Sequence, residues 1–200
     1  MRGQGKNKIE VCFSPALYPY FENIEALVVV VDILRASSAI CTAFMNGATR
    51  IIPIGTLEEA KAMKDKGFMV AAERDGIVRD FADFGNSPFN FSPERVKGKE
   101  IVYSTTNGTQ AIHLASKGFE VVIGSFLNIT AICEHTFEID RDVLILCAGW
   151  KNKFNLEDTF FAGALIEKIL KNKAFYTICD SSLAALDLWS IGRHNSLAYI

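Results

Sequence analysis

The chain has 200 residues, half of them hydrophobic and 22% charged, with a formal charge of −2, which is an ordinary balance for a globular protein. A chain of this size buries about 70–75% of its unfolded surface, enough for one large core or two small ones. No block of Lys and Arg supplies a phosphate-backbone footprint, which excludes nucleic acid as a partner. No apolar run reaches the roughly 18 residues of a membrane helix, and the amino terminus lacks the apolar region of a signal peptide, so a cytoplasmic protein off the membrane is expected.

In chain order, β-branched runs predict strands at 9–13, 27–31, 50–54 and 68–72, then at 100–103, 120–123 and 143–147. Helix-compatible segments lie between them at 36–45, 57–66, 109–117 and 129–137, followed by 157–170 with the clearest apolar face. Strands alternating with helices imply βαβ crossovers, and the unbroken apolar character of "LVVVV" and "VLIL" fits strands covered on both faces. The expected fold class is α/β, with mostly parallel sheets and helices on both faces in three layers. Gly47, Gly67 and Gly118 fall where left-handed helix C-caps are expected.

Segment 77–93, "IVRDFADFGNSPFNFSP", breaks this rhythm with Phe81, Phe84, Phe89, Phe91 and two prolines. It divides the chain into two βαβαβ-like halves, so residues 1–200 read as one unit or as two intimate halves near 1–92 and 93–200. So long a loop is either functional or a satellite core of its own aromatics. Cys12, Cys41, Cys133, Cys147 and Cys179 lie in or beside apolar segments with no C-x-x-C pair, so buried free thiols are expected.

Ligands of parallel α/β sheets bind beyond the carboxyl ends of the strands. Asp32 and Arg35 follow the second strand, Glu73 and Arg74 the fourth, and "STTNGT" (Ser104 to Thr109) the next; "NLEDT" (Asn155 to Thr159) ends the loop after the last. In "STTNGT", Gly108 permits close backbone approach, and Thr105, Thr106 and Thr109 offer hydroxyls just where a helix begins. Unpaired amides and the helix dipole favour an anion there, and phosphate fits; capping by Asn107 or Thr109 is the plainer account. Were Asp32, Glu73, Glu157 and Asp158 to converge beside phosphate, each pair of like charges at 4 Å would cost about 4 kcal/mol at an effective dielectric of ~20. Only a divalent cation reconciles such a site, and oxygen ligands select Mg2+ or Mn2+ over zinc.

Several signatures are absent. Asp32 is followed two residues on by Leu34, not by the second aspartate of a haloacid-dehalogenase phosphatase. Cys147 is followed at the cysteine-phosphatase spacing by Lys153 instead of arginine, and neither glycine-rich nucleotide motif occurs. His113, His135 and His194 lie away from the strand ends and read as surface or partly buried residues.

In order, "VVVVDILRASSAICTAFMNGA", "AAERDG", "FADFGNSPFNF", "YSTTNGTQAI" and "CAGWKNKFNLEDTFFAG" resemble the ComB-type 2-phosphosulfolactate phosphatases from about residue 27 to 164. The resemblance implies a Mg2+-dependent acid phosphatase that hydrolyses (R)-2-phospho-3-sulfolactate to 3-sulfolactate and phosphate, a step of coenzyme M biosynthesis in methanogens. Another small phosphorylated hydroxy acid is the alternative substrate, and a non-catalytic binding protein for such an acid is the alternative function. Members usually continue beyond "HNSLAYI", which implies a shortened chain or missing terminal helices, and homo-oligomers are compatible with the family. Carried over by position, Asp32 and Glu73 are expected to bind metal and act in catalysis, with Glu157 and Asp158 as further ligands. Arg35 is expected to clamp an acid group of the substrate, Thr105, Thr106, Asn107, Gly108 and Thr109 to cradle phosphate, and Asn86 and Ser87 to close over it. Two mechanisms are compatible: attack by water positioned by Asp32 or Glu73, and an aspartyl-phosphate on Asp32.

Overall fold

Leu27 and the four valines after it are all buried, because β2 (Leu27–Val31) runs through the middle of a parallel sheet in this computed structural model, which describes residues 5–199. β1 (Asn7–Cys12) precedes it, and α1 (Ala36–Met45), β3 (Arg50–Pro53), α2 (Leu57–Asp65), β4 (Met69–Arg74) and β5 (Ile77–Val78) follow. The short α3 (Pro93–Val96) leads into β6 (Glu100–Ser104), α4 (Gly108–Ala115), β7 (Glu120–Gly124), α5 (Ile129–Ile139) and β8 (Val143–Cys147). Then come α6 (Leu156–Ile169), β9 (Phe175–Tyr176) and α7 (Asp180–Gly192).

Among the described residues these strands form two sheets, ordered β7-β2-β8-β1-β9 and β3-β6-β4-β5. Every pairing is parallel except β4 with β5. The expected α/β architecture is therefore present, but the strands are shared out differently from two sequential halves. The first sheet takes β1 and β2 from before residue 92 and β7, β8 and β9 from after it, while β6 joins β3 and β4 in the second. Two crossovers carry the chain between sheets: α1 leads from β2 to β3, and α4 leads from β6 back to β7. A division at residue 92 would cut both sheets.

Alternation along β2 assigns its valines to two cores. Val29 and Val31 pack with Ile145, Phe161 and Leu165 under α6, whereas Val28 and Val30 pack with Leu144, Leu146, Ala111 and Ala115 under α4. The second sheet is covered likewise, by α1 over Ala71, Ile101 and Tyr103, and by α2 over Val70, Ala72 and Val102. Helices therefore lie on both faces of each sheet, and what stays accessible is the end where the parallel strands finish. The aromatics of segment 77–93 supply the expected core. Phe84 and Phe91 stack edge to face at 4.8 Å inside the α1 core, while Asn86 between them reaches the strand ends.

Gly47 (φ +91°) and Gly67 (φ +90°) are left-handed helix terminators as expected, but Gly118 is not; a Cβ there would meet Val28 Cγ2 at 2.6 Å, so close packing sets that glycine. The five cysteines are free thiols, and Cys12, Cys133 and Cys147 are buried. No helix among the described residues is long and apolar enough to cross a membrane.

Candidate active site

The crossovers bring the carboxyl ends of the two sheets together, so groups far apart in sequence share one cleft. Asp32 is the first residue beyond β2. Its backbone amide donates to Ser37 Oγ at 2.8 Å, and its Oδ1 accepts from the Ala36 amide at 3.2 Å, which fastens the carboxylate to the first turn of α1. A Cβ on residue 108 would stand 2.8 Å from Asp32 Oδ2 and 3.1 Å from Ala36 Cβ, so only glycine lets the start of α4 come this close to the carboxylate. Asp32, from one sheet, thus faces "TTNGT", from the other.

The turn itself is tied by its own hydroxyls. Thr105 Oγ1 accepts from the Thr109 amide at 3.3 Å and Thr109 Oγ1 donates to the Thr105 carbonyl at 2.9 Å. Neither residue expected to cap α4 does so by its side chain: Asn107 Oδ1 instead accepts from the Lys151 amide at 3.1 Å. Thr106 Oγ1 accepts from the Asp75 amide at 2.9 Å, joining the turn to the loop after β4.

The four acids expected as one ligand set are separated by their hydrogen bonds. Glu73 is 5% exposed; its Oε1 accepts from the Thr106 amide at 2.9 Å and its Oε2 from the Gly76 amide at 2.7 Å. Asp158 is fully buried; its Oδ1 accepts from the Ile33 amide at 2.8 Å and its Oδ2 from the Gly149 amide at 3.1 Å. Both oxygens of each carboxylate are therefore engaged in holding loops: Glu73 secures "TTNGT", and Asp158 secures the turns after β2 and β8. Among the described residues, no three His, Cys, Asp or Glu side chains converge closely enough to hold a metal ion by themselves. That corrects the expected four-acid cage.

A lighter site fits better. Magnesium is commonly held by one or two carboxylates, with water and phosphate oxygens completing its shell. Asp32 turns Oδ2 toward Gly108, whose amide also holds its carboxyl down, and Glu157 is half-buried with no side-chain hydrogen bond among the described residues. Asn155, just before α6, adds a buried Oδ1 with no hydrogen-bond partner among those residues. Burial pushes the Asp32 carboxyl up from its ordinary value of 3.8 to about 6; the Ala36 amide opposes this, and the negative charges of Glu73 and Glu157 add to it. Burial likewise raises Asp158 well above the carboxylate range, with the Asp32 charge contributing. A cation between Asp32 and Glu157 would relieve that electrostatic conflict.

The cationic side is lighter. Arg35 is exposed, and its Nη2 donates to Asn86 Oδ1 at 3.0 Å, which brings the aromatic segment beside Arg35. Arg74 has turned away into a structural role, donating to the Gly55 carbonyl at 2.9 Å and to Ser104 Oγ at 3.0 Å. Lys151 was not anticipated. It lies in a two-residue turn closed by Trp150 and Lys153, and its Nζ meets Asp75 Oδ1 at 2.8 Å. Positive φ at Lys151 and Asn152 makes this a type I′-like turn, which "WKNK" did not advertise. A cavity of about 960 Å³ opens on the other side of the "TTNGT" turn, lined by Thr105, Thr106, Arg74 and His113 but by neither Asp32 nor Arg35.

Comparison with known proteins agrees with the resemblance read from the sequence. The chain is 39% identical over 175 residues to a protein of Caldanaerobacter subterraneus subsp. tengcongensis named "Probable 2-phosphosulfolactate phosphatase", covering 86% of this chain and 72% of that one. Proteins of the same name from Thermotoga petrophila and Clostridium novyi are 41% and 40% identical, covering 72% and 73% of this chain. This chain spans only 63% of the length of each of those two relatives. The profile of the 2-phosphosulpholactate phosphatases matches residues 12–200. The chain belongs to the 2-phosphosulpholactate phosphatase family.

Proposed function

We propose that this chain carries the reaction centre of a Mg2+-dependent phosphoric monoester hydrolase that converts (R)-2-phospho-3-sulfolactate to 3-sulfolactate and phosphate. The observation that carries the reading is the approach of Gly108, at the start of α4, to Asp32. It sets an anion-favouring helix terminus and its hydroxyls against a carboxylate, an arrangement that makes chemical sense around a phosphate with a cation between them. The family name supports the substrate.

In this reading Asp32 and Glu157 would hold the ion, with Asn155 Oδ1 as a further oxygen ligand. When bound, the ion neutralises charge between the acids and the phosphate and withdraws electrons from phosphorus. The "TTNGT" amides and hydroxyls hold the phosphate oxygens, and Arg35 takes an acid group of the substrate in a bidentate grip. Asp32 positions the attacking water and accepts its proton as the new P–O bond forms. The bond from phosphorus to the substrate's C2 oxygen breaks, and that oxygen takes up a proton to leave as the hydroxyl of sulfolactate. Glu73 and Asp158 act through the loops they secure. Free thiols and the lack of a membrane-crossing helix among the described residues suit a cytoplasmic setting.

The test is phosphate release from 2-phosphosulfolactate and from a panel of other phosphorylated hydroxy acids, with Mg2+ and with EDTA. The expected result is release that requires Mg2+ and favours the sulfonated substrate. Binding without release, with Mg2+ in excess, would make the protein a receptor for the acid instead.

A further inference from the structure

Tyr103 is 1% exposed, and its hydroxyl has no hydrogen-bond partner among the described residues. A buried hydroxyl without a partner bears its full desolvation cost, so it calls for a partner that the described residues do not supply. The ring is well housed. It packs in the α1 core with Ala71 and Ile101 and lies 6.1 Å from the ring of Phe91. Only its polar end is unsatisfied.

Strand register shows which groups share its face. β4 and β6 are parallel neighbours with Ala71 opposite Tyr103, and side chains two apart share a face. Ala71 and Tyr103 both lie in the core beneath α1, so Glu73, two residues after Ala71, stands on that same face at the strand ends. Asp32 is bonded to the first turn of the helix covering this face, and Arg35 precedes that turn. The phenol is therefore packed among apolar groups on the sheet face that carries Glu73, beneath the helix whose first turn holds Asp32. Its electrostatics agree: burial, then the charges of Asp32 and Glu73, hold it well above its ordinary range, and Arg35 opposes them. It stays a neutral O–H donor, yet neither carboxylate accepts from it.

Resting on the reading of the cleft as a phosphate site, we propose that the Tyr103 hydroxyl is an anion-binding group that donates a hydrogen bond to a phosphate oxygen from the floor of the site. A phenol suits the position because it offers a donor without a positive charge that would repel the cation beside Asp32. It would complement the backbone and hydroxyl donors of "TTNGT" from below, and it would fix the phosphate relative to the attacking water.

The experiment compares the full chain with Tyr103→Phe, which removes the oxygen and leaves the ring. Melting without ligand, calorimetric binding of inorganic phosphate in the presence of Mg2+, and turnover of 2-phosphosulfolactate are all measured. The expected result is an unchanged or raised melting temperature, with phosphate affinity and turnover each falling about 10- to 100-fold, as for loss of a hydrogen bond to a charged acceptor. Wild-type phosphate affinity in Tyr103→Phe would overturn the assignment, and so would a lowered ligand-free melting temperature with affinity intact. Should the wild type bind phosphate in a Tyr103-dependent way without releasing any from 2-phosphosulfolactate, the hydrolase reading would fail while this assignment stood. Absence of phosphate binding in the wild type would remove it.

Discussion

Gly108 and Asp32 occupy each other's space: the carboxylate oxygen of Asp32 sits 2.8 Å from where a Cβ on residue 108 would be. The contact joins the carboxyl end of one sheet to the helix start of the other, and no local sequence signal links the two residues. Gly108→Ala is expected to displace Asp32 and lower turnover at least 100-fold, even though alanine favours helix by about 1 kcal/mol over glycine. The check is a double-mutant cycle on thermal stability: the substitution costs stability alone and becomes neutral or favourable with Asp32→Ala. Equal effects in both backgrounds would mean that the contact carries no energy.

The Asp32 carboxyl, raised to about 6 by burial and neighbouring acids, makes the ion-free protein pH-sensitive. Because the folded state holds this proton more tightly than the unfolded chain, stability is fully present below about pH 4 and declines as pH rises through 6. A shift of about 2 pH units corresponds to at most about 3 kcal/mol, less because the side chain is only partly buried. Asp32→Asn is therefore expected to melt higher than wild type at pH 7.5 in EDTA while losing turnover. A lower melting temperature would show that the charge is stabilising as it stands.

Magnesium should remove that conflict. Its stabilising effect on melting is expected to be larger at pH 7.5 than at pH 5, and to be largely lost in Glu157→Gln. Titration of Mg2+ by thermal shift at the two pH values measures this, and an effect independent of pH would separate the ion from Asp32.

Asp158 predicts a structural defect rather than a simple loss of a ligand. Asp158→Ala leaves the Ile33 and Gly149 amides without their acceptor in a fully buried position, at a cost of about 2–4 kcal/mol. Denaturant unfolding reads this directly. Stability within about 0.5 kcal/mol of wild type, with Mg2+ affinity lost, would return Asp158 to the ligand set.

Arg35→Lys keeps the charge and loses the planar fork, so substrate affinity is expected to fall about tenfold with stability unchanged, given the exposure of the side chain. Steady-state kinetics show this as a raised KM, and an unchanged KM would place the guanidinium outside the substrate's reach.

Much of this protein was legible from local pattern. Continuous apolar runs marked β2 and β8, because parallel strands buried on both faces leave nowhere for a polar side chain. The polar groups that follow those strands marked the reactive end of the fold. β5 and β9 went unseen because each is a two-residue strand with no period to detect. What tertiary structure alone decided was partnership. Strand exchange between the sheets is set by which apolar faces find each other across long sequence separations, so no sequential division of the chain reproduces it. The same contacts set the hydrogen bonds of three similar acids. Glu73 and Asp158 became loop anchors because backbone amides from distant turns reached their oxygens, while Asp32 is held by the Ala36 amide and faces Gly108. Sequence could name the carboxylates; the hydrogen bonds that make an anchor of one and not of another exist only once the chain has closed around them.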